Sequence, residues 1–293
     1  MDFTDLLYHH ALAIEDAALF YYDKDELQNL HQSLECMMKS LRNGGKLVFV
    51  GCGKSYKVVC KTVAMLTSMG IPARDLHPIE AMHGDMGYCE PQDSLVFCST
   101  SGETEEILNL LRYLKADGGP WEQCARFAVT GNRNSSLASC CQRTIMVPQA
   151  EKFKEPNFQS GLRAPTISTT LMVTVLDCIC IELSKIWFDN DLTKREVFFN
   201  KRHPGGGIGK VTSSTNLRQL ARAPNKHTPP KYQTYVVKTN ETFTETQFLS
   251  MLITYDYIQF PPKDIRVPCC LLREEHKRAV HAGTGPEWFR RYL

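Results

Sequence analysis

Residues 46–55 read Lys46-Leu-Val-Phe-Val-Gly-Cys-Gly-Lys-Ser55. They predict a short apolar strand running into a glycine-rich turn that opens a helix. Within that helix Val59, Val63 and Leu66 share one face with Met65 and Met69 beside it, and Gly70 and Pro72 end it. Such a turn presents backbone N–H groups and the positive end of a helix dipole, a setting that favours an anion and often a phosphate. Two familiar nucleotide patterns fail here. A Walker A loop needs glycine where Val48 stands, and a dinucleotide fingerprint needs its third glycine where Tyr56 stands. The turn therefore points to a phosphate-bearing ligand other than ATP or NAD. A plain tight strand-to-helix turn explains the same residues, so the rest of the chain has to decide.

Outward from this stretch, two amphipathic helices are expected over 3–22 and 25–42, with Asn43-Gly44-Gly45 as the stop. Further strands are expected at 73–77, 94–98, 125–129 and 144–147. A helix over 103–115 carries Ile107, Leu111 and Leu114 on one face. Ala164-Pro165-Thr166 opens a long apolar helix, with proline near its first position. Strands alternating with helices predict an α/β fold, a doubly wound and mostly parallel five-stranded sheet flanked by helices. In such sheets ligands bind beyond the carboxyl ends of the strands. The boundaries expected are 1–210 for this domain and 211–293 for a C-terminal extension of unknown role. That extension holds Pro224, Pro229 and Pro230 in a linker-like stretch, and a strand at Tyr235–Lys238 and a helix near 244–257 are expected in it. The stretch 201–210 reads as irregular.

At 293 residues and a formal charge of +2, nothing in the composition suggests nucleic-acid or anionic-membrane binding. The start Met-Asp-Phe-Thr-Asp lacks the basic, then apolar, pattern of a signal peptide. The apolar stretch Ile167 to Trp187 contains Asp177, Glu182 and Lys185, which fits a buried helix better than a membrane span. The 12 cysteines form no Cys-x-x-Cys pair, and Cys98, Cys178 and Cys180 lie in apolar segments. A reduced, cytoplasmic protein is the expectation.

Four clusters carry candidate chemistry. The glycine turn supplies Gly53, Lys54 and Ser55. Ser99-Thr100-Ser101-Gly102-Glu103-Thr104 follows a strand and offers hydroxyls suited to phosphate; a capping box from Thr100 to Glu103 is the plainer account of two of its residues. His77 to Gly87 contains His83-Gly-Asp85 in a polar turn, and metal ligation by His77, His83 and Asp85 is conceivable from residue type. His203-Pro-Gly-Gly places an imidazole, suited to proton transfer near neutrality, among turn residues.

These clusters fall in an order that resembles the sugar-isomerase (SIS) domain family, and within it the arabinose-5-phosphate isomerases. The shared blocks are Gly-Cys-Gly-Lys-Ser at 51–55, His-Pro-x-Glu-Ala at 77–81, His-Gly-Asp-x-Gly at 83–87 and Pro-Gln-Asp at 91–93. Ser-x-Ser-Gly-Glu at 99–103, Ala-Pro-Thr-x-Ser-Thr-Thr at 164–170 and His-Pro-Gly-Gly at 203–206 complete them. The resemblance implies an aldose–ketose isomerase that interconverts D-arabinose 5-phosphate and D-ribulose 5-phosphate through a cis-enediol, without cofactor or metal. It implies Lys54, Glu106, Glu155 and His203 as catalytic residues. It implies Gly53, Ser55, His83, Asp85, Ser99, Ser101 and Thr104 as substrate- and phosphate-binding residues. A homo-oligomer, tetramer or dimer, is implied as well. Rival readings are an isomerase of a hexulose or heptulose phosphate, and a phosphosugar-binding regulator.

Three departures stand out. Tyr56 replaces a usual glycine and is expected to narrow or cap the pocket. The loop from Glu155 to Ala164 is about two residues longer than the family's. No pair of CBS domains is legible in 211–293.

Overall fold

A computed structural model describes residues 2–116, 120–203, 233–238, 241–260, 265–283 and 288–289. The chain divides into two compact units, Met1–Ser214 and Thr215–Leu293.

The first unit opens with helices α1 (Phe3–Phe20) and α2 (Lys24–Arg42). Strands β1 (Leu47–Gly51), β2 (Ala73–Leu76), β3 (Ser94–Cys98), β4 (Ala125–Thr130) and β5 (Arg143–Met146) then alternate with helices α3 (Gly53–Ser68), α4 (Pro78–Met82), α5 (Glu105–Ala116) and α6 (Ser136–Cys140). The one-turn helix α7 (Glu155–Phe158) leads to α8 (Ile167–Trp187) and α9 (Leu192–Arg202). The sheet order is β2-β1-β3-β4-β5, and every pairing is parallel. The expected sheet was mostly parallel; this one is wholly so.

Strand periodicity sorts the core into two layers. Leu47 and Phe49 join Val96, Phe127 and Val129 beneath α1, α2, α3 and α8. Their neighbours Val48 and Val50 point the other way, with Leu95, Phe97 and Ala128 against α5. All four β1 residues from Leu47 to Val50 are fully buried. This explains the unbroken apolar run, since a parallel sheet covered on both faces needs apolar residues at odd and even positions alike. Helix α8 is long and apolar enough to cross a membrane by length and composition. Here it lines the core through Leu171, Met172, Leu176, Ile179, Cys180 and Leu183.

Several local expectations need correction. Pro165 stands before the N-cap Thr166 rather than inside the first turn of α8. The region before residue 203, read as irregular from 201, is the end of α9. Its Phe198 packs onto Gly70, where a Cβ would lie 1.9 Å from the ring. The remainder of His-Pro-Gly-Gly, from Pro204 on, and the Pro224–Pro230 stretch lie outside the described residues.

The second unit has a core of its own. Strands β6 (Thr234–Val236), β7 (Tyr257–Phe260) and β8 (Ile265–Pro268) form a sheet in that order, parallel then antiparallel. Helices α10 (Glu245–Thr254) and α11 (Cys269–Ala282) complete a β-α-β-β-α sequence of elements. Phe248, Leu252, Ile258, Phe260, Leu272 and Phe289 are buried together. Thr244 and Gln247 form a capping box that starts α10. The segment expected as an extension is thus a small α/β unit.

One buried ion pair ties the start of the large sheet together. Asp93 is 1% exposed and accepts Lys46 N at 2.8 Å, Lys46 Nζ at 2.6 Å and Glu90 N at 2.8 Å. It therefore clamps the entry to β1 against the entry to β3. Replacing it strands two amide N–H groups and an ammonium, and breaking a buried pair from one side costs about 3–5 kcal/mol. Asp93→Ala should lose about 3 kcal/mol in urea denaturation, and a loss below about 1 kcal/mol would show that water replaces the carboxylate at little cost.

Candidate functional site

The order β2-β1-β3 places a topological switch between β1 and β3, where the connections depart in opposite directions. The turns at the carboxyl ends of these strands diverge and leave a cleft. A cavity of about 860 Å³ lies there, lined by residues that follow β1, β3, β4 and β5 and by the start of α8.

After β1, Gly53 takes φ +59°, a left-handed conformation that lets the chain turn directly into α3. A Cβ there would meet nothing within 4 Å, so the backbone alone demands glycine. Gly53 shapes the turn, and Lys54 and Ser55 line the cavity. The N-cap residue Cys52 makes no side-chain cap bond, which leaves the first amides of α3 without that partner.

After β3, the hydroxyl cluster is internally organised. Ser99 Oγ is 2.8 Å from Thr104 Oγ1 and accepts Gly102 N at 3.1 Å. Ser101 Oγ accepts Glu103 N at 3.2 Å. Gly102 sits at φ +71°, and a Cβ there would lie 2.2 Å from Ser135 Oγ, so no other residue fits this bend. The capping box expected from Thr100 to Glu103 is not formed. Helix α5 starts later, at Glu105, because Glu103 Oε1 instead accepts Ser136 N at 2.8 Å. Those hydrogen bonds from Ser136 hold the Glu103 carboxyl below its ordinary range. The β3 and β4 turns are thereby tied together, and Ser99, Ser101 and Thr104 all line the cavity.

Beyond β5, Glu155 begins α7 and is 8% exposed. Its Oε1 accepts Thr166 N at 3.0 Å and Ser168 N at 2.9 Å, while Oε2 accepts Gln149 Nε2 at 3.2 Å. Burial pushes this carboxyl up, but hydrogen bonds from Ser168 and Thr166 outweigh it and hold the group below its usual value. Glu155 is therefore an ionised carboxylate at neutral pH, facing the cavity and capping α8 in place of the Thr166 side chain.

Lys54, Ser55, Ser99, Ser101, Thr104 and Glu155 thus share one cavity wall, whereas Glu106, His83, Asp85 and His203 stand outside it. Glu106 lies against the Cys52 thiol, whose pKa is raised by burial first and by the Glu106 carboxylate second. His83 and Asp85 are exposed on the turn after α4. His77 caps α4, its Nδ1 accepting Ile79 N at 3.3 Å. Among the described residues no group of three His, Cys, Asp or Glu side chains could hold a metal ion.

His203 ends α9, where Nδ1 lies 2.8 Å from Phe199 O and the ring stacks on Phe199 at 3.9 Å. Helix α9 packs at the Gly70 end of α3, whereas Lys54 is at the other end of a helix about 24 Å long. His203 does not reach the cavity of its own chain. Tyr56 does not narrow that cavity either. Its hydroxyl donates to Asp75 Oδ2 at 2.6 Å, and its ring meets His77 edge-on at 5.1 Å, outside the lining.

The motifs did not single out Asn132, Gln149, Lys154 or Arg163, all of which line the cavity. Their signal was positional: each follows β4 or β5, the expected side of the sheet for a ligand.

Residues 40–181 match the model of the SIS domain family. The chain is 35% identical over 192 residues to the arabinose 5-phosphate isomerase KpsF of Escherichia coli, covering 63% of this chain and 55% of that protein. It spans about half the length of the curated relatives it matches. Among solved structures, the E. coli CFT073 protein c3406, determined in complex with a sugar phosphate, aligns with a TM-score of 0.54 at 28% identity, over 68% of this chain and 99% of that one. A Bacteroides fragilis protein, described as a candidate phosphosugar isomerase of capsule formation, gives 0.56 at 28% identity, over 69% and 96%. The first unit of this chain contains an SIS domain.

Proposed function

We propose that the protein is an aldose–ketose isomerase of a small sugar phosphate, with D-arabinose 5-phosphate and D-ribulose 5-phosphate as the interconverted pair. One observation carries this reading. A hydroxyl cluster suited to phosphate, an ionised glutamate and a lysine line a single cavity at the switch point of the sheet. The resemblance to KpsF and to the sugar-phosphate complex of c3406 narrows the substrate class.

The reaction breaks C2–H of the aldose and makes C1–H of the ketose, while a proton passes from O2 to O1. Glu155, with Oε1 occupied by two amides, would accept the carbon proton through Oε2. Lys54 would stabilise charge on the enediolate oxygens. Ser55, Ser99, Ser101 and Thr104 would hold the phosphate, so that binding energy positions the reacting carbons. Glu106, beside Cys52, would relay protons at the cavity edge. No redox cofactor is required, because oxidation at one carbon is matched by reduction at the next.

His203 would act on a partner's cavity, since its own lies at the far end of α3. The protein would then be a homo-oligomer, dimer or tetramer. Helix α8 leaves Ile181 37% exposed, in keeping with a covered face in the assembly. His83 and Asp85, exposed on their turn, would be available to the same interface. Eleven described cysteines are free thiols, which fits the reducing cytoplasm.

In a panel of C5 to C7 sugar phosphates followed by NMR in deuterated water, the five-carbon pair should interconvert with deuterium entering C2 of the aldose. Interconversion of a hexulose or heptulose phosphate alone would move the assignment to that substrate. Tight binding without any interconversion would make the protein a phosphosugar-responsive regulator. Lys54→Met should retain binding and lose about 10²–10³-fold in kcat.

Mixing inactive Lys54→Ala and His203→Ala proteins should restore part of the activity, because a mixed assembly contains one intact composite site. Failure to complement, with subunit exchange verified, would place His203 outside the chemistry.

Glu155 also makes a pH-dependent contribution to folding. Its folded pKa is depressed, so its stabilisation is full above the unfolded value of about 4.3 and is lost as pH falls through the folded one. The Tm gap between wild type and Glu155→Gln should be constant above about pH 5 and shrink below about pH 4. A gap that does not change with pH would mean that the carboxylate charge does not cap α8.

A further inference from the structure

We propose that Arg163 is a phosphate-binding residue of the cavity, a role that none of the motifs assigns. The proposal rests on reading the cavity as a sugar-phosphate site.

The charges around the cavity are almost all committed. Glu151 pairs with Lys154 at 2.6 Å. Glu103 takes the Ser136 amide, and Glu155 takes the amides of Thr166 and Ser168. Two cations remain, Lys54 and Arg163, and neither has a hydrogen bond or ion pair among the described residues. The hydroxyl cluster can donate protons to a phosphate but cannot neutralise it. A dianion bound there needs a cation, and an arginine fork matches phosphate oxygens two at a time.

Arg163 is exposed, yet its backbone is fixed. Gln159 Nε2 spans the loop, donating to Ala164 O and Thr166 Oγ1, each at 3.0 Å. Gly161 N donates to Pro156 O at 2.9 Å, and Leu162 N to Gln159 O at 3.0 Å. Ser160 and Gly161 adopt φ values of +51° and +90°, which reverse the chain just before the arginine. The loop is thus a pinned mount for an uncommitted guanidinium at the cavity wall. It is also the loop whose length departs from the family pattern. With Arg163 on the phosphate, Lys54 is free to act at the enediolate.

The test uses the full chain and inorganic phosphate, measured by calorimetry, so that binding is read without turnover. Arg163→Gln should weaken phosphate binding by about 10-fold or more, the loss of a charge-assisted hydrogen bond. Arg163→Lys should recover part of it, keeping the charge without the fork. Tm should not change, since the side chain has no described partner to lose. With a competent sugar phosphate, Arg163→Gln should raise KM and leave kcat unaltered. Equal phosphate affinity in wild type and Arg163→Gln overturns the assignment and leaves the sugar-phosphate reading intact. No phosphate binding by the wild type overturns both.

Discussion

All five strands of the large sheet run parallel, and the site follows from that constraint. Each connection must cross back over the sheet, so every strand-to-helix turn opens at the same edge. Both faces of the sheet lie beneath helices, and the strands are apolar from Leu47 to Val50 in β1 and from Leu95 to Cys98 in β3. Polar groups are therefore concentrated where the strands end. Ser99 shows how far this goes: it is 3% exposed, one residue beyond β3, with its hydroxyl bonded to Thr104 and Gly102. Two hydroxyls contain two protons, and the bond between Ser99 and Thr104 uses one. The other is left to donate to a ligand without breaking anything. In the proposed phosphate-binding role the cluster would donate while keeping its internal hydrogen bonds.

Glu155 shows the opposite arrangement, one group with a capping duty and a proposed catalytic one. As a cap it should be ionised and held by amides, and it is. As a general base it should have a proton affinity near that of its working medium. The hydrogen bonds that make it a good cap lower its basicity. The compromise is visible in the two oxygens. The amides of the α8 start both fall on Oε1, while Oε2 accepts Gln149 Nε2, which also bonds Phe153 O at 2.9 Å. On the proposed reading the carboxylate is anchored through Oε1 and would take the proton at Oε2. Its position is fixed by a helix of 21 residues, so it holds its place without a ligand.

The fold was legible because the strongest signal was also the most buried. The Leu47–Val50 run, the βα alternation and the ends of α2 and α3 are written in apolar periodicity and in glycine. Within the site, Lys54, Ser55, Ser99, Ser101 and Thr104 were legible because short motifs follow strand ends directly, whereas Glu155, a loop carboxylate well beyond β5, was reached only through the family resemblance. Helix α9 was not legible, since none of its residues is buried and its packing on Gly70 is a long-range contact. The Thr100–Glu103 cap was misread for a similar reason. Ser136, 33 residues away, offered Glu103 a better amide than its own helix did. Arg163 had no motif at all: only the closing of the Gln159–Thr166 loop places it at the cavity.

The division of the candidate residues between two ends of α3 has a mechanical consequence. Lys54 and Glu155 belong to turns held by the sheet and by α8, whereas His203 belongs to the end of α9, whose ring contacts are Phe199 and whose neighbour Phe198 fits the space above Gly70. Gly70 has φ +81°, and any side chain there would displace that ring. The same glycine that ends α3 thus seats α9. If His203 serves a partner's cavity, its placement is set by helix packing in one subunit and its partner groups by strand ends in another. Chemistry would then depend on the fit between copies, and the proposed assembly would be part of the catalytic geometry rather than an addition to it.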